Sequence, residues 1–436
     1  MALAEAELGQ QTEHMEQMEL GRKDELTFRA NLRGARYGWL RLTPAYSVHL
    51  VSALLDEHAH AGDRVLDPFC GTGTTALVCA ERGLRCDTTD INPFLVWLAR
   101  AKTRRYGRAD VAAFRALARR VGAAIRRERS ATWAPDIHKI ERWWSPSALG
   151  ALGRGREAII RIRPQAPPAT ADLLDLAFCR AMIESAHVSF GHQSMSFRKG
   201  TVQDGDHVEE VAHRFAAAVE AIGQAAGSKI ERLPRPLLVD ARALDTGLGP
   251  AQYEHVITSP PYPNRMSYVR ELRPYMYWLG YFGQSRDAGE LDWKAIGGTW
   301  GCATSNVAKW SPPAGTSPIP FQEFERILGA IGARSPVLAR YVAKYFHDMV
   351  LHVRSLAPRV APGGGVHYIV GNSKFFEVVL PVEEIFAAIF AGAGFERGKI
   401  EKIRKRSSKK ELFEFVVSAR KPGTRAGNGR KGRAAT

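Results

Sequence analysis

The sequence predicts an α/β protein: a mostly parallel, doubly wound sheet, interrupted by a helical insertion and closed by a C-terminal antiparallel hairpin. Three observations carry this. Residues 61–103 read strand, glycine turn, helix, strand, helix, the repeating unit of such sheets. Residues 105–232 place Ala, Arg and Leu at helical spacing. From Leu237 onward strand character returns, and the last two strands are separated only by the polar turn RSSKK.

Taken in order, residues 1–36 hold Glu and Gln with little apolar periodicity and are expected to form a mobile arm. The main domain is expected at 37–104 and 233–420. In it, Arg64–Asp67 is a short apolar strand, Thr74–Arg82 a helix and Arg85–Asp90 a second strand. Asn92–Pro93 then opens another helix, with Pro at a tolerated first-turn position. The stretches 111–127, 170–186 and 208–223 are the most regular helices of the insertion. PLLVDARAL (236–244) and EHVITSPPY (254–262) are strands with their following turns. Tyr268–Phe282 reads as a helix with Pro274 as a kink, and 283–335 as loop-rich. A long helix (Ser335–Ala357), a strand (Gly365–Gly371), a helix (Pro381–Ala391) and two strands (Phe395–Arg404, Glu411–Ala419) complete the domain. The Gly/Arg/Lys-rich tail 421–436 is expected to be disordered.

A chain of 436 residues with 45% hydrophobic and 24% charged residues can bury a large core, which excludes a disordered or small stapled protein. The N-terminus lacks the basic and apolar regions of a signal peptide, and no run is long enough for a membrane span. Cys70, Cys79, Cys86, Cys179 and Cys302 form no CxxC pair, so a reducing, cytoplasmic setting is expected. The histidines show no metal-ligand spacing, and no metal is expected.

The net charge is +16, and its excess is clustered. Residues 397–436 hold 14 basic against 3 acidic residues, and 105–163 hold 14 against 5. Such clusters attract polyanions by releasing counterions, and nucleic acid is the commonest partner. Solvated surface charge is the bland alternative.

DPFCGTGTT (67–75) begins at the carboxyl end of the first strand, with Gly71 and Gly73 spaced G-x-G. Glycines there allow a tight turn and close backbone approach to a ligand. Asp90, at the end of the next strand, can accept hydrogen bonds from both ribose hydroxyls of an adenosine-containing ligand. Asp67 adds negative charge where a pyrophosphate would lie, which disfavours dinucleotides and suits an ammonium group. S-adenosylmethionine carries adenosine, ribose hydroxyls, an ammonium and a sulfonium, and is the expected cofactor.

TSPPY (258–262) follows the strand HVI directly. Two prolines end the strand, remove two amide donors and fix the carbonyls in one direction. Alone, this is an ordinary rigid turn. Its position matters more, because ligands collect beyond the carboxyl ends of strands in open α/β sheets.

Together these motifs resemble the amino-methylating (cytosine-N4 and adenine-N6) S-adenosylmethionine-dependent DNA methyltransferases of bacterial modification systems. The resemblance covers about 38–104 and 233–420 and leaves the insertion unmatched. It implies a Rossmann-like methyltransferase fold with a seven-stranded sheet. It implies cofactor contacts from Thr43 and Tyr46 in LTPAYS, from Asp67, Phe69, Gly71, Gly73, Thr74 and Thr75, from Asp90 and Ile91 in TTDIN, and from Asp240 in VDARAL. Ser259, Pro260, Pro261 and Tyr262 are then the catalytic group.

The chemistry is consistent with these residue types. An exocyclic amine is a poor nucleophile, because its lone pair is delocalised into the ring. Hydrogen bonds accepted by Ser259 Oγ and the Pro260 carbonyl would favour a pyramidal nitrogen, and Tyr262 would stack on a base that has left the helix. No cysteine follows a proline, so the Pro-Cys nucleophile of cytosine-C5 enzymes is absent. In the resembling family Ser at the first motif position is most typical of cytosine-N4 enzymes and Asp is frequent in adenine-N6 enzymes. Ser259 therefore favours N4-methylcytosine, with adenine as the alternative.

Duplex DNA is the expected partner, and a cognate restriction endonuclease and nucleoid association are implied. Asn264 and Arg265 adjoin the motif and are expected at the target strand, while Arg126 and Arg127 in the Arg-rich helices are expected to grip phosphates. The segments 283–335 and 189–200, and the insertion itself, are candidates for base reading. Rival readings are an RNA base methyltransferase, a non-catalytic DNA-binding protein of the same fold, and a metabolite methyltransferase.

Overall fold

A computed structural model describes residues 26–32, 34–42, 45–127, 131, 133–189, 196–200, 205–264, 267–299, 302–406 and 412–423. Seven strands form one sheet: β1 (Arg64–Asp67), β2 (Arg85–Asp90), β3 (Arg235–Leu238), β4 (Tyr253–Thr258), β5 (Val360–Gly371), β6 (Glu396–Lys405) and β7 (Phe413–Arg420). Their spatial order is β6-β7-β5-β4-β1-β2-β3. β1 to β5 are mutually parallel, and β7 runs antiparallel between β5 and β6. The chain starts at the centre, moves outward through β2 and β3, then returns to the other flank of β1 as β4.

That reversal positions the site. Leu66 of β1 pairs with Val256 of β4, so Asp67 and Thr258 end side by side. The glycine turn and the Ser-Pro-Pro turn therefore open on one rim, at the switch point where doubly wound sheets bind ligands.

Helices cover both faces. α1 (Val48–His58), α2 (Thr74–Arg82) and α3 (Pro93–Thr103) belong to the first half. Gly73 caps α2 with φ +77°, and a Cβ there would stand 3.1 Å from the Ala99 Cα of α3, so only glycine allows the two helices to approach. The insertion forms α4 (Arg108–Arg126), α5 (Pro146–Ile162), α6 (Pro168–Glu184) and α7 (Val208–Ala226). Then follow α8 (Val269–Leu279), α9 (Ser285–Lys294), α10 (Phe324–Gly332), α11 (Pro336–Leu356) and α12 (Val382–Gly392). Pro274 lies inside α8, as expected.

The insertion has no separate core. Phe114, Val121, Leu152, Leu174 and Phe178 pack in one apolar cluster with Leu98 of α3 and Tyr275 and Trp278 of α8.

Four expectations change. Residues 26–32 and 34–36, assigned to a mobile arm, are folded: buried Arg36 donates to the carbonyls of Lys102 (2.9 Å) and Ser228 (2.9 Å), and also to those of Arg104 and Ala226. A guanidinium supplies five donors, so one side chain satisfies the carboxyl ends of both α3 and α7. The segment 283–335 holds three helices among its loops, α9, one over Cys302–Lys309 and α10. Asp287 starts α9 by accepting the amides of Gly283 (2.8 Å) and Gln284 (3.0 Å), a capping signal outweighed in the sequence by Gly, Ser and Pro content. β5 begins at Val360, five residues early, because its glycines still pair. Lys421, assigned to the tail, donates to the carbonyls of Ala357 (2.7 Å) and Val360 (2.8 Å). The rest of the tail, 424–436, and residues 1–25 lie outside the described residues.

Among the described residues, no helix is long and apolar enough to cross a membrane.

Candidate active site

One cavity of about 420 Å³ opens at the carboxyl ends of β1, β2 and β4. Its lining includes Tyr46, Phe69, Gly71, Asp90, Ile91 and Asp240 from the first set of predicted residues, and Ser259, Pro260, Pro261, Tyr262 and Asn264 from the second. The two motifs, nearly 190 positions apart in the chain, thus share one space.

Asp90 ends β2 half-buried. One carboxylate oxygen accepts the Gly71 amide (3.1 Å) and the other the Asn92 amide (2.9 Å). Burial pushes its pKa up to about 7, against the lowering effect of those two amides. Each oxygen keeps acceptor capacity beyond its one amide, which fits a vicinal diol.

Asp67 departs from its predicted role. It is fully buried, is not part of the cavity lining, and its carboxylate accepts from Thr258 Oγ1 (2.6 Å), Tyr46 Oη (3.0 Å) and the Phe69 amide (3.1 Å). Burial raises its pKa to about 6, with those donors pulling the other way. Asp67 therefore joins β4, the Tyr46 segment and the glycine turn, and its carboxylate is spent on those donors behind the cavity lining. Gly73, Thr74 and Thr75 also lie behind the cavity wall, because they start α2; Thr75 Oγ1 bonds Tyr46 Oη. Buried Lys102 supports the same turn, donating to the Thr72 carbonyl (3.1 Å).

Asp240 reaches the cavity with its charge already met. Arg242 donates Nη2 (2.7 Å), Nε (3.0 Å) and its own amide (2.9 Å). Burial alone would raise the Asp240 carboxyl, but these bonds hold it below the usual carboxylate range.

The Ser259 hydroxyl donates to the Ile369 carbonyl of β5 at 3.1 Å. The Pro261 carbonyl accepts from Tyr345 Oη (2.6 Å), whereas among the described residues no group donates to the Pro260 carbonyl. Tyr262 is fixed at both ends: its amide donates to Tyr268 Oη (2.7 Å), and its hydroxyl donates to Glu414 of β7 (2.8 Å). Burial, with the Glu414 carboxylate nearby, pushes the Tyr262 hydroxyl well above its ordinary pKa.

The structure does not bring Arg126 and Arg127 to this cavity, and Arg126 is paired with Glu209 at 2.9 Å. Much of the insertion's basic surplus is engaged internally. Arg156 bonds Asp175 (2.7 Å), Arg154 donates to the Ile125 carbonyl (2.8 Å), and Arg115 pairs with Glu220 (3.2 Å). Counting arginines therefore overstates the free positive face. Thr43 and Arg265 lie outside the described residues, as do positions 190–195 of the stretch 189–200.

The motifs missed Leu26, Lys294, Tyr268, Arg404, Arg406 and Glu414, all of which line the cavity. Tyr268 follows the second motif by six residues without belonging to it, Lys294 falls in the base-reading candidate 283–335, and the basic character of 397–436 hinted at Arg404 and Arg406.

Residues 41–100 match the family model for DNA methylase (N6_N4_Mtase). The Type II methyltransferase M.AvaI of Nostoc sp. is 35% identical over 69 residues, 16% of this chain and 14% of that protein. M.MjaII of Methanocaldococcus jannaschii is 40% identical over 57 residues, 13% and 11% of the two chains. M.BsoBI of Geobacillus stearothermophilus is 32% identical over 80 residues, 18% and 16%. The matched sequence is thus a small part of each relative. Among solved structures, TrmN from Thermus thermophilus (13% identity, TM-score 0.28, 92% of this chain and 55% of that one) is too distant in geometry to carry an argument. So is the rRNA methyltransferase aviRa from Streptomyces viridochromogenes (14%, 0.29, 90% and 96%). The family match spans the glycine turn and Asp90, and the resemblance to DNA methylases holds for that segment.

Proposed function

We propose that this chain is a DNA methyltransferase that moves a methyl group from S-adenosylmethionine to the exocyclic amine of an extrahelical base, with cytosine N4 as the acceptor. The observation that carries this reading is the shared cavity of Asp90 and Gly71 with Ser259 and Pro260. S-adenosylmethionine supplies an already activated methyl group, and the acidic, glycine-lined half of the cavity suits it. Asp90 would hold the ribose hydroxyls, Ile91 and Phe69 would flank the adenine, and Asp240 would lie at its edge.

The other half suits an amine. Because the Ser259 proton is directed at the Ile369 carbonyl, the lone pairs of Oγ are left to accept from an amine N–H. The Pro260 carbonyl offers a second acceptor. Two such bonds align the nitrogen lone pair with the methyl group. The transfer forms one N–C bond, breaks one S–C bond and releases the amine proton to solvent. Ser259 positions the amine and is not required to remove that proton.

Cytosine is favoured over adenine by Ser259, since Ser at this position is most typical of the cytosine-N4 enzymes that the motif resembles. Duplex DNA is the proposed substrate and a cognate endonuclease a proposed partner. Incubation of the protein with labelled methyl donor and either unmethylated duplex DNA or total RNA tests the substrate. Nuclease digestion and mass detection of the modified base test the acceptor. N6-methyladenine without N4-methylcytosine overturns the cytosine reading, and label in RNA alone overturns the DNA reading.

A further inference from the structure

The C-terminal hairpin contributes three charged residues to the cavity, Arg404, Arg406 and Glu414. Glu414 is anchored, accepting from Tyr262 Oη (2.8 Å) on one oxygen and Arg404 Nε (2.6 Å) on the other. Tyr262 is thereby held rigidly. Arg406 places its guanidinium over the Tyr262 ring, 5.2 Å from the centroid, and donates Nη1 to the Asn372 carbonyl at 3.1 Å. Gly371 forms the floor beneath both: a Cβ there would stand 2.6 Å from Arg406 Nη1 and 3.0 Å from Tyr262 Cε2.

A guanidinium thus lies over an aromatic ring in the cavity that Ser259 also lines. Planar groups in contact lie about 3.5 Å apart, so inserting a base between them needs about 7 Å. With the guanidinium carbon now 5.2 Å from the ring centroid, an outward shift of about 2 Å opens that space, within reach of a long side chain hung from one carbonyl. A guanidinium also stacks well on a nucleobase face.

We propose that Arg406 is a base-binding residue: it rests on Tyr262 when the site is empty and stacks on the outer face of the extrahelical base when the site is filled. This rests on the function proposed above. It assigns to Arg406 a role as planar stacking partner, not as a contact to phosphate.

Three variants separate the two roles. Arg406→Phe keeps a flat face without charge, Arg406→Lys keeps charge without a flat face, and Arg406→Ala keeps neither. With duplex DNA amplified in vitro, and therefore unmethylated, kcat/KM for DNA should fall about 10- to 100-fold in R406A. R406F should recover most of that loss and R406K little, while calorimetry gives the same S-adenosylmethionine affinity for all three. Recovery by R406K but not R406F, or an unaltered R406A, overturns the proposal. A second readout needs no catalysis. Quenching of 2-aminopurine in a short single-stranded oligonucleotide should be strongest with the wild type and R406F and weaker with R406A and R406K, in which only Tyr262 remains to stack. Equal quenching by R406A overturns the stacking role, whereas absence of methyl transfer by the wild type overturns only the function on which it was built.

Discussion

The hydroxyl of Ser259 donates to the backbone carbonyl of Ile369, 3.1 Å away, linking the turn after β4 to the interior of β5. A hydroxyl has one proton, so while this bond stands Oγ has only its lone pairs to offer the cavity. Replacing Ser259 with Ala should lower kcat about 100-fold, the usual scale for one lost group aligned with a transition state. S-adenosylmethionine affinity should be unchanged. Single-turnover methylation and calorimetry check the two halves, and full turnover by S259A would remove Ser259 from the reaction.

Asp90 should make cofactor affinity depend on pH. Its carboxyl, raised by burial to about 7, must be ionised to accept from ribose hydroxyls on both oxygens. As pH falls through 7 the acceptor form is depleted, so affinity should fall by about tenfold per unit at lower pH. Calorimetric titration between pH 8 and 5.5 reads this. Asp90→Asn should bind about 10- to 100-fold more weakly at pH 8 and show a flat profile.

Asp67, one strand away, should behave differently. It holds Thr258, Tyr46 and the Phe69 amide and is fully buried. Asp67→Ala leaves those donors unmet and should cost about 2–4 kcal/mol of stability. Thermal unfolding with and without cofactor separates the cases. A normal Tm with lost cofactor binding would return Asp67 to the ligand contact expected from its motif.

Two buried histidines predict acid lability. Burial lowers His352 to about 4, although its bond to the Ala241 carbonyl opposes this, and burial with neighbouring His58 and His255 lowers His367 to about 3. Both folded values lie below the unfolded value near 6.5. Their contribution is therefore fully present above that pH and is lost as pH falls toward the folded values. Compared with a variant in which both are Gln, urea unfolding of the wild type should lose about 1.4 kcal/mol per pH unit per imidazole between roughly pH 6 and 4, while the raised Asp67 and Asp90 carboxyls act in the opposite direction in both proteins. Replacing both with Gln should flatten that slope; an unchanged slope would assign acid lability to other groups.

The legible parts were those written as local patterns. Strand–glycine–helix–strand over 64–90 and Pro93 at the start of α3 appear where the sequence puts them. Periodicity identified the insertion but could not reveal that Phe114 and Phe178 pack against Trp278 of α8. Charge counts were less informative, because Arg156 and Arg36 look like surface residues in sequence and are buried donors in the structure.

Local backbone preferences and side-chain periodicity act over a few residues, and they sufficed for the strands and helices of 64–103, the glycine turn and the Ser-Pro-Pro-Tyr turn. Which atoms of those turns meet a ligand was decided by tertiary pairing. The carboxylate of Asp67 was drawn inward because Thr258 and Tyr46 could donate to it there, while Asp90 kept open acceptor capacity at the cavity. Tyr262 acquired its partners Glu414, in β7, and Arg406, just past the end of β6, only through the sheet order. A buried polar group takes whatever donor the fold supplies, and no short-range pattern in the chain encodes which one that is.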